Sequence, residues 1–314
     1  MNDAPHIPVL LDEVMQALNL KPDAVVVDAT YGRGGHSAEI LKRLGGAGRL
    51  VMLDRDPQAI ADAKQRFAGD PRVHVEQARF SRVGQVCGQL GLSGRVNAML
   101  FDLGVSSPQL DDASRGFSFR NAGPLDMRMD PSSGESAADW INRAPESELA
   151  DVIYQYGEER HSRRIARAIV RARLEAPITD TATLAALVAR AVPSRERHKD
   201  PATRTFQAIR LYINRELDEL DAVLPEALRV LAPGGRLAVI SFHSLEDRRV
   251  KHFIRAEAQG PEIPRGMPAA PVPFIPRVRA VGRAIRASDA EVRRNPRSRS
   301  AVLRVAERTG EAHV

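Results

Sequence analysis

Three acidic residues stand where short apolar runs end: Asp28 after Val25-Val26-Val27, Asp54 after Leu50-Val51-Met52-Leu53, and Asp102 after Ala98-Met99-Leu100-Phe101. Carboxylates at the carboxyl ends of parallel strands face the crevice in which open α/β sheets bind their ligands. Asp28 leads directly into Ala29-Thr30-Tyr31-Gly32-Arg33-Gly34-Gly35-His36. Glycines there allow a sharp turn and let a ligand approach the main-chain N–H groups that open a helix. This is the chemistry of binding and orienting a small polar ligand, and no residue stands out as a general base.

The spacing Asp-x-x-x-Gly-x-Gly, with Asp28, Gly32 and Gly34 in the defined places, is that of proteins that bind a nucleoside joined to methionine. Nicotinamide-binding sheets begin their glycines directly after the strand, without a leading acid. A tight structural turn is the alternative. Asp54 follows the glycines by about 20 residues, the distance at which an acid can accept both ribose hydroxyls. A helix cap would be its other role, but Asp56-Pro57 already carries the cap signature. Phe80, just past the run Val73-His74-Val75-Glu76, could pack on an adenine or cap the sheet as a core residue. Asp102 opens Asp102-Leu103-Gly104-Val105-Ser106-Ser107-Pro108-Gln109-Leu110. Amino-methylating enzymes carry an acid or amide here, because acceptors that hold the hydrogens of a conjugated amine make its nitrogen more nucleophilic. The Pro-Pro-aromatic that usually follows is absent.

The elements that must position these residues alternate. Strands are predicted at Val25–Asp28, Arg49–Asp54, Val73–Glu76 and Ala98–Asp102, with helices between them, which argues for a parallel sheet covered on both faces. The rhythm then stops. Helical patterns cover Ala137–Asn142, Glu146–Tyr156, His161–Leu174 and Thr183–Val192, and strand character returns only at Arg236–Ser241, after the helix Leu217–Leu231. The expected organisation is one domain made of residues 1–106 and 211–314, interrupted by a helical insertion at 107–210. A basic tail closes with a strand at Ser300–Ala306.

With 314 residues the chain can bury one large core or two modest ones. Its net charge is +6, carried mostly by arginine, whose planar guanidinium suits phosphate. A GC-rich genome would also favour arginine. The single cysteine, Cys87, excludes an internal disulfide and reads as a buried core thiol. The N-terminus lacks a basic region followed by an apolar run, and no apolar stretch reaches membrane-spanning length, so a cytoplasmic protein is expected. His6, His161 and His198 have no metal-ligand spacing, and no metal is expected.

Six segments together carry a family resemblance. They are His6-Ile7-Pro8-Val9-Leu10-Leu11, Thr30 to His36, Asp102 to Leu110, Gly123-Pro124-Leu125-Asp126-Met127-Arg128-Met129-Asp130, Ser241-Phe242-His243-Ser244-Leu245-Glu246-Asp247-Arg248, and Asn295-Pro296-Arg297-Ser298-Arg299-Ser300-Ala301. The chain resembles the bacterial small-subunit ribosomal RNA cytosine-N4 methyltransferases over essentially its whole length. The resemblance implies an α/β fold, a Rossmann-like doubly wound methyltransferase sheet with an inserted all-helical domain that recognises RNA. It implies S-adenosylmethionine as cofactor, bound by Gly34, Gly35, His36, Asp54, Phe80, Asp102 and Gln109, with Gly32 of the same turn. It also implies a target cytosine in the decoding region. Asp102 then has two candidate roles, holding the methionine end of the donor or holding the target amine.

The expected partner is small-subunit ribosomal RNA or the small ribosomal subunit, with no DNA and no membrane, for a monomer or homodimer. Two arginine clusters could track phosphates. Arg160, Arg164, Arg167 and Arg171, with Arg163 and Arg173, form a helical stripe that could equally be a solvated face paired with Glu158, Glu159 and Glu175. Arg277, Arg279, Arg283, Arg286, Arg293, Arg294, Arg297 and Arg299 form the tail cluster, with few acids to dilute it. His243 could touch substrate or bond to backbone, and Trp140 could anchor the inserted helices or stack on a base. Two other classes remain in view: a nicotinamide-dependent oxidoreductase, and a non-catalytic RNA-binding assembly factor.

Overall fold

The computed structural model describes residues 8–192, 200–260 and 274–310. His6, Ile7 and His198 lie outside the described residues. The chain divides into two compact units, one of residues 1–104 and 217–314, the other of Val105–Glu216.

The first unit is built on a sheet. Its strands are β1 (Val25–Asp28), β2 (Arg49–Asp54), β3 (Val73–Gln77), β4 (Val96–Asp102), β5 (Leu231–Ser241), β6 (Val278–Ala280), β7 (Ile285–Arg286) and β8 (Val302–Arg308). The order is β3-β2-β1-β4-β5-β8-β6, with β7 also paired to β8. The pairs among β1 to β5 are parallel, and β8 runs antiparallel to β5, β6 and β7. This is a Rossmann-like sheet with an antiparallel edge.

Alternation along each strand feeds two separate cores. Val27, Val51, Leu53, Met99, Phe101, Leu237 and Val239 belong to one, with Val86 and Cys87 of helix Val83–Gln89, Leu220 and Leu224 of helix Glu216–Val230, and Val250 of helix Ser244–Gln259. Val26, Leu50, Met52, Ala98, Leu100, Ala238 and Ile240 belong to the other, with Val14 and Leu18 of helix Leu11–Leu18, Ile40 of helix Gly35–Arg43, and Ala63 of helix Pro57–Arg66. Both faces are therefore dry, which is why these strands read as continuous apolar runs. Cys87 is fully buried, and burial pushes its thiol up to about 11, which fits an inert core residue.

β5 departs from the sequence-based expectation at its start. Val96 pairs with Leu231 and Ala98 with Arg236, so Ala232-Pro233-Gly234-Gly235 bulges out of register. Gly234 takes φ +75°, which an L side chain rarely adopts. The turn expected between a helix and a strand is here an interruption within one strand. Leu11–Leu18, Ser244–Gln259 and Asp289–Arg294 form helices, and β6 and β7 short strands, where the sequence pattern predicts no element.

The second unit is helical, with helices Ala137–Arg143, Glu146–Gly157, Ser162–Glu175, Thr181–Ala191 and Thr203–Asn214. The last of these was also missed. Trp140 is fully buried among Leu149, Ile153, Ile165 and Ile209. Its Nε1 donates to Glu148 Oε1 at 2.8 Å, and Tyr212 Oη donates to the same oxygen at 2.9 Å. Trp140 is thus an anchor, with no face left for stacking on a base.

Asn214 holds an irregular segment of this unit. Its Oδ1 accepts from Met129 N at 2.8 Å and its Nδ2 donates to Met127 O at 2.7 Å. Met127 is buried at φ +62°, a conformation a methionine adopts only when its surroundings impose it. Asn214→Ala leaves a buried donor and acceptor without partners and is expected to destabilise the protein by roughly 2–4 kcal/mol. Thermal melting of the variant checks this, and an unchanged midpoint would show that Met127 needs no such tether.

Candidate active site

The carboxyl ends of β1, β2 and β4 gather the sequence-predicted acids on one edge of the sheet. Asp28 is buried. Its Oδ1 accepts from Thr30 N at 3.2 Å and its Oδ2 from Ser37 Oγ at 2.6 Å, so it holds the start of the Gly35–Arg43 helix against β1. Burial pushes its carboxyl up to about 6, against these bonds. Thr30 Oγ1 in turn accepts from Asp102 N at 2.6 Å, tying the end of β4 to the turn after β1.

Asp54 is pinned from two sides. Its Oδ2 accepts from Gly32 N at 2.8 Å and its Oδ1 from Asp56 N at 2.8 Å. Burial pushes it up to about 6, while these N–H donors pull the other way. Each oxygen keeps a second lone pair that could accept a hydroxyl. Asp56 caps the next helix by accepting from Gln58 N at 3.0 Å, with Pro57 in the first turn.

The glycine turn is close-packed. Gly34 has φ +64°, and a Cβ there would lie 2.4 Å from the Tyr31 ring. A Cβ on Gly35 would lie 2.3 Å from Pro8 Cγ. Tyr31 Oη donates to Asp62 Oδ2 at 2.5 Å, and its ring packs edge-on against Phe67, so the turn is clamped from behind. His36 is buried with Nε2 3.0 Å from Val9 O. A carbonyl can only accept, so Nε2 bears a proton. Nδ1 faces Asp102 Oδ2 at 3.6 Å, beyond hydrogen-bonding range.

Asp102 is the most perturbed group of the site. Burial pushes its carboxyl up to about 8, and repulsion from Asp28 and Glu246 adds to the effect. Its Oδ1 is buried with no hydrogen-bond partner among the described residues. Such an acceptor is costly unless a ligand answers it. The fourth acid, Glu246, follows β5 on the Ser244–Gln259 helix. Its Oε2 accepts from Phe242 N at 2.8 Å and from His243 N at 3.3 Å, and its Oε1 lies 3.1 Å from His243 Nε2. The backbone N–H of His243 is thus tied to Glu246, while both ring nitrogens are buried with no hydrogen-bond partner among the described residues. The sequence pattern alone assigns Glu246 no role; its position three residues after His243, at the start of a helix, is the available signal.

Phe80 is partly buried and packs edge-on against Phe101, with centroids 5.9 Å apart. It is joined to the core at one edge and lies beside the end of β3. Gln109 belongs to the second unit. It is buried there, and its Oε1 accepts from Ser106 N at 2.9 Å in a capping box that opens the helix Ser107–Asp111. Among the described residues no cluster of His, Cys, Asp and Glu could hold a metal, and no helix is long and apolar enough to cross a membrane.

The family model of the MraW methylase family matches residues 3–309. The chain belongs to this family. It is 58% identical over 304 residues to the ribosomal RNA small subunit methyltransferase H of Thioalkalivibrio sulfidiphilus, a match covering 96% of this chain and 97% of the relative. It is 59% identical to the protein of the same name from Thiobacillus denitrificans, covering 98% of each chain. The counterpart from Shewanella frigidimarina is 54% identical over 96% of this chain and 97% of its own. The carboxylates, glycine turn and His36 described above therefore belong to a methyltransferase.

The raised carboxyl of Asp102 has a consequence for stability. An unfolded aspartate releases its proton near pH 3.9 or so, about the ordinary value. The folded one keeps it to about pH 8, so between these values the folded state binds more protons and stability falls as pH rises. Asp102→Asn removes this contribution. Without bound ligand the variant is expected to melt above the unchanged protein at pH 8, with the gain shrinking towards pH 4. Equal shifts at both ends of the range would show that Asp102 is ionised throughout.

Proposed function

We propose that this methyltransferase transfers the methyl group of S-adenosylmethionine to the N4 amino group of a cytosine in the decoding region of small-subunit ribosomal RNA. The observation that carries the chemistry is the buried, unpartnered Oδ1 of Asp102 within a group of carboxylates at the sheet edge. The full-length likeness to ribosomal RNA small subunit methyltransferases carries the substrate class.

The residues fit the donor. S-adenosylmethionine supplies an electrophilic methyl on a sulfonium sulfur, and its methionine end carries an ammonium group. A region rich in carboxylates suits both positive charges. Asp102 would hold the methionine end, its proton leaving when a cation arrives. Asp54 would accept the ribose hydroxyls while Gly32 and Asp56 keep its carboxylate in place. Gly34, Gly35 and His36 would bring the first N–H groups of the Gly35–Arg43 helix, which have no acceptor within the helix, close to the donor. Phe80 would pack against the adenine.

The transfer itself is a positioning task. A cytosine amine placed in line with the methyl needs its hydrogens held by acceptors so that the nitrogen lone pair can point at carbon. Asp102 is also a candidate for that contact, and its substitution tests both roles. The cytosine must leave its stack to reach the site, which costs a few kcal/mol in a duplex and less in a single strand or junction.

Small ribosomal subunits from a strain lacking this protein are expected to accept labelled methyl, recovered as N4-methylcytidine by nucleoside mass spectrometry. Asp102→Asn is expected to slow this at least tenfold. Label in a different nucleoside would overturn the target atom, and a retained rate in the variant would remove Asp102 from both roles.

A further inference from the structure

The arginines of the C-terminal segment are not equivalent. Arg277 pairs with Glu257 at 3.1 Å and Arg279 with Glu307 at 2.6 Å. Arg279 also stands opposite Glu307 in the β6–β8 register, and Arg236 stands opposite the same residue in β5. Position 236 is the early part of β5's regular pairing, so Arg279 lies towards the edge of the sheet remote from the carboxylates. Arg286 lies at the other end. It is opposite Val302, which is opposite Ser241, the last residue of β5. Asp102 is opposite Ile240, so Arg286 lies at the same edge as Asp102.

The chain that follows keeps to this edge and is tied to the donor turn. Helix Asp289–Arg294 is capped by the Ser288 side chain, and it buries Glu291. Glu291 Oε1 accepts from Leu10 N at 2.7 Å. The residue before Leu10 supplies the carbonyl that meets His36, and the one before that, Pro8, packs on Gly35. Ser298, buried, donates from Oγ to Asn295 O at 2.7 Å, fixing the turn Pro296–Ser300. Arg286, Arg293, Arg294 and Arg299 project from this fixed frame. All four are exposed, and no carboxylate pairs with them among the described residues.

Exposed guanidinium groups without acidic partners, on a rigid segment beside a binding turn, suit a polyanion whose target must be presented to that turn. We propose that Arg286, Arg293, Arg294 and Arg299 form the surface that grips RNA phosphates next to the donor turn, while Arg277 and Arg279 do not take part. This rests on the reading of RNA as substrate. The contacts position the substrate without reading its sequence. The helix Ser162–Glu175 also presents arginines: Arg163, Arg164 and Arg171 are exposed, while Arg173 is spent on the carbonyls of Ile141 and Ala144, at 2.6 and 2.7 Å, and Arg167 lies 3.6 Å from Glu146.

The test compares R286Q/R293Q/R294Q with R277Q/R279Q in the full chain. Binding to unmodified small ribosomal subunits is measured across a salt series, alongside S-adenosylmethionine affinity. The triple variant is expected to bind subunits at least tenfold more weakly, with the slope of log affinity against log salt reduced by about 2, since each phosphate contact contributes about 0.7–0.9. Its cofactor affinity and melting temperature are expected to stay unchanged, and the double variant is expected to match the unchanged protein. An equal salt slope in the triple variant, or an equal loss in the double variant, overturns the proposal while leaving the substrate reading intact. Failure of the unchanged protein to bind subunits overturns both.

Discussion

Four carboxylates at one edge of a sheet with two dry faces are the constraint on which this protein is arranged. Like charges in a poorly solvated region repel, and each also loses hydration. The fold answers three of them with its own donors. Asp28 takes a hydroxyl and a backbone N–H, Asp54 takes two backbone N–H groups, and Glu246 takes those of Phe242 and His243. Asp102 receives no such donor on Oδ1, and its carboxyl is driven highest. The same contacts shape the site, because both donors to Asp28 and one of the two to Asp54 come from the glycine turn and the helix it opens. A perturbed acid left unsatisfied among satisfied ones is the feature on which the proposed donor site rests.

The antiparallel strand β8 lets one sheet serve two ends of the chain. By running back along β5 it returns the C-terminal segment to the carboxyl edge, and Glu291 then closes on Leu10 across 281 residues of sequence. Leu10 adopts φ +54° and is fully buried, an arrangement that the Glu291 bond and the helix it starts hold in place. The segment that faces solvent with unpaired arginines is thereby part of the same packed body as the turn that holds His36. The second unit has its own core around Trp140, built on a separate hydrogen-bonded centre at Glu148.

What was legible in the sequence follows from local rules. Val25–Asp28, Arg49–Asp54 and Ala98–Asp102 could be recognised because strands buried on both faces must be apolar throughout, and the acids that end them stand out for the same reason. Asp56-Pro57 announced its helix because a cap needs only its neighbours. The helices Thr203–Asn214 and Asp289–Arg294 were not placed. The first carries Arg204 and Arg210 among its apolar residues, and the second is a single short run with no periodic stripe. The bulge in β5 was read as a separate turn because Pro233-Gly234-Gly235 looks the same locally whether a strand resumes or begins after it.

The sequence by itself determined the α/β class, the acids at strand ends, the glycine turn and the family, because each depends on residue types at short or fixed spacing. Only the tertiary structure decided which polar groups satisfy one another. It joined Thr30 to Asp102, Glu291 to Leu10 and Arg279 to Glu307, and it separated the tail arginines into paired and unpaired sets. Those outcomes depend on strand order and register, which bring distant residues within about 3 Å, and no local pattern encodes that distance.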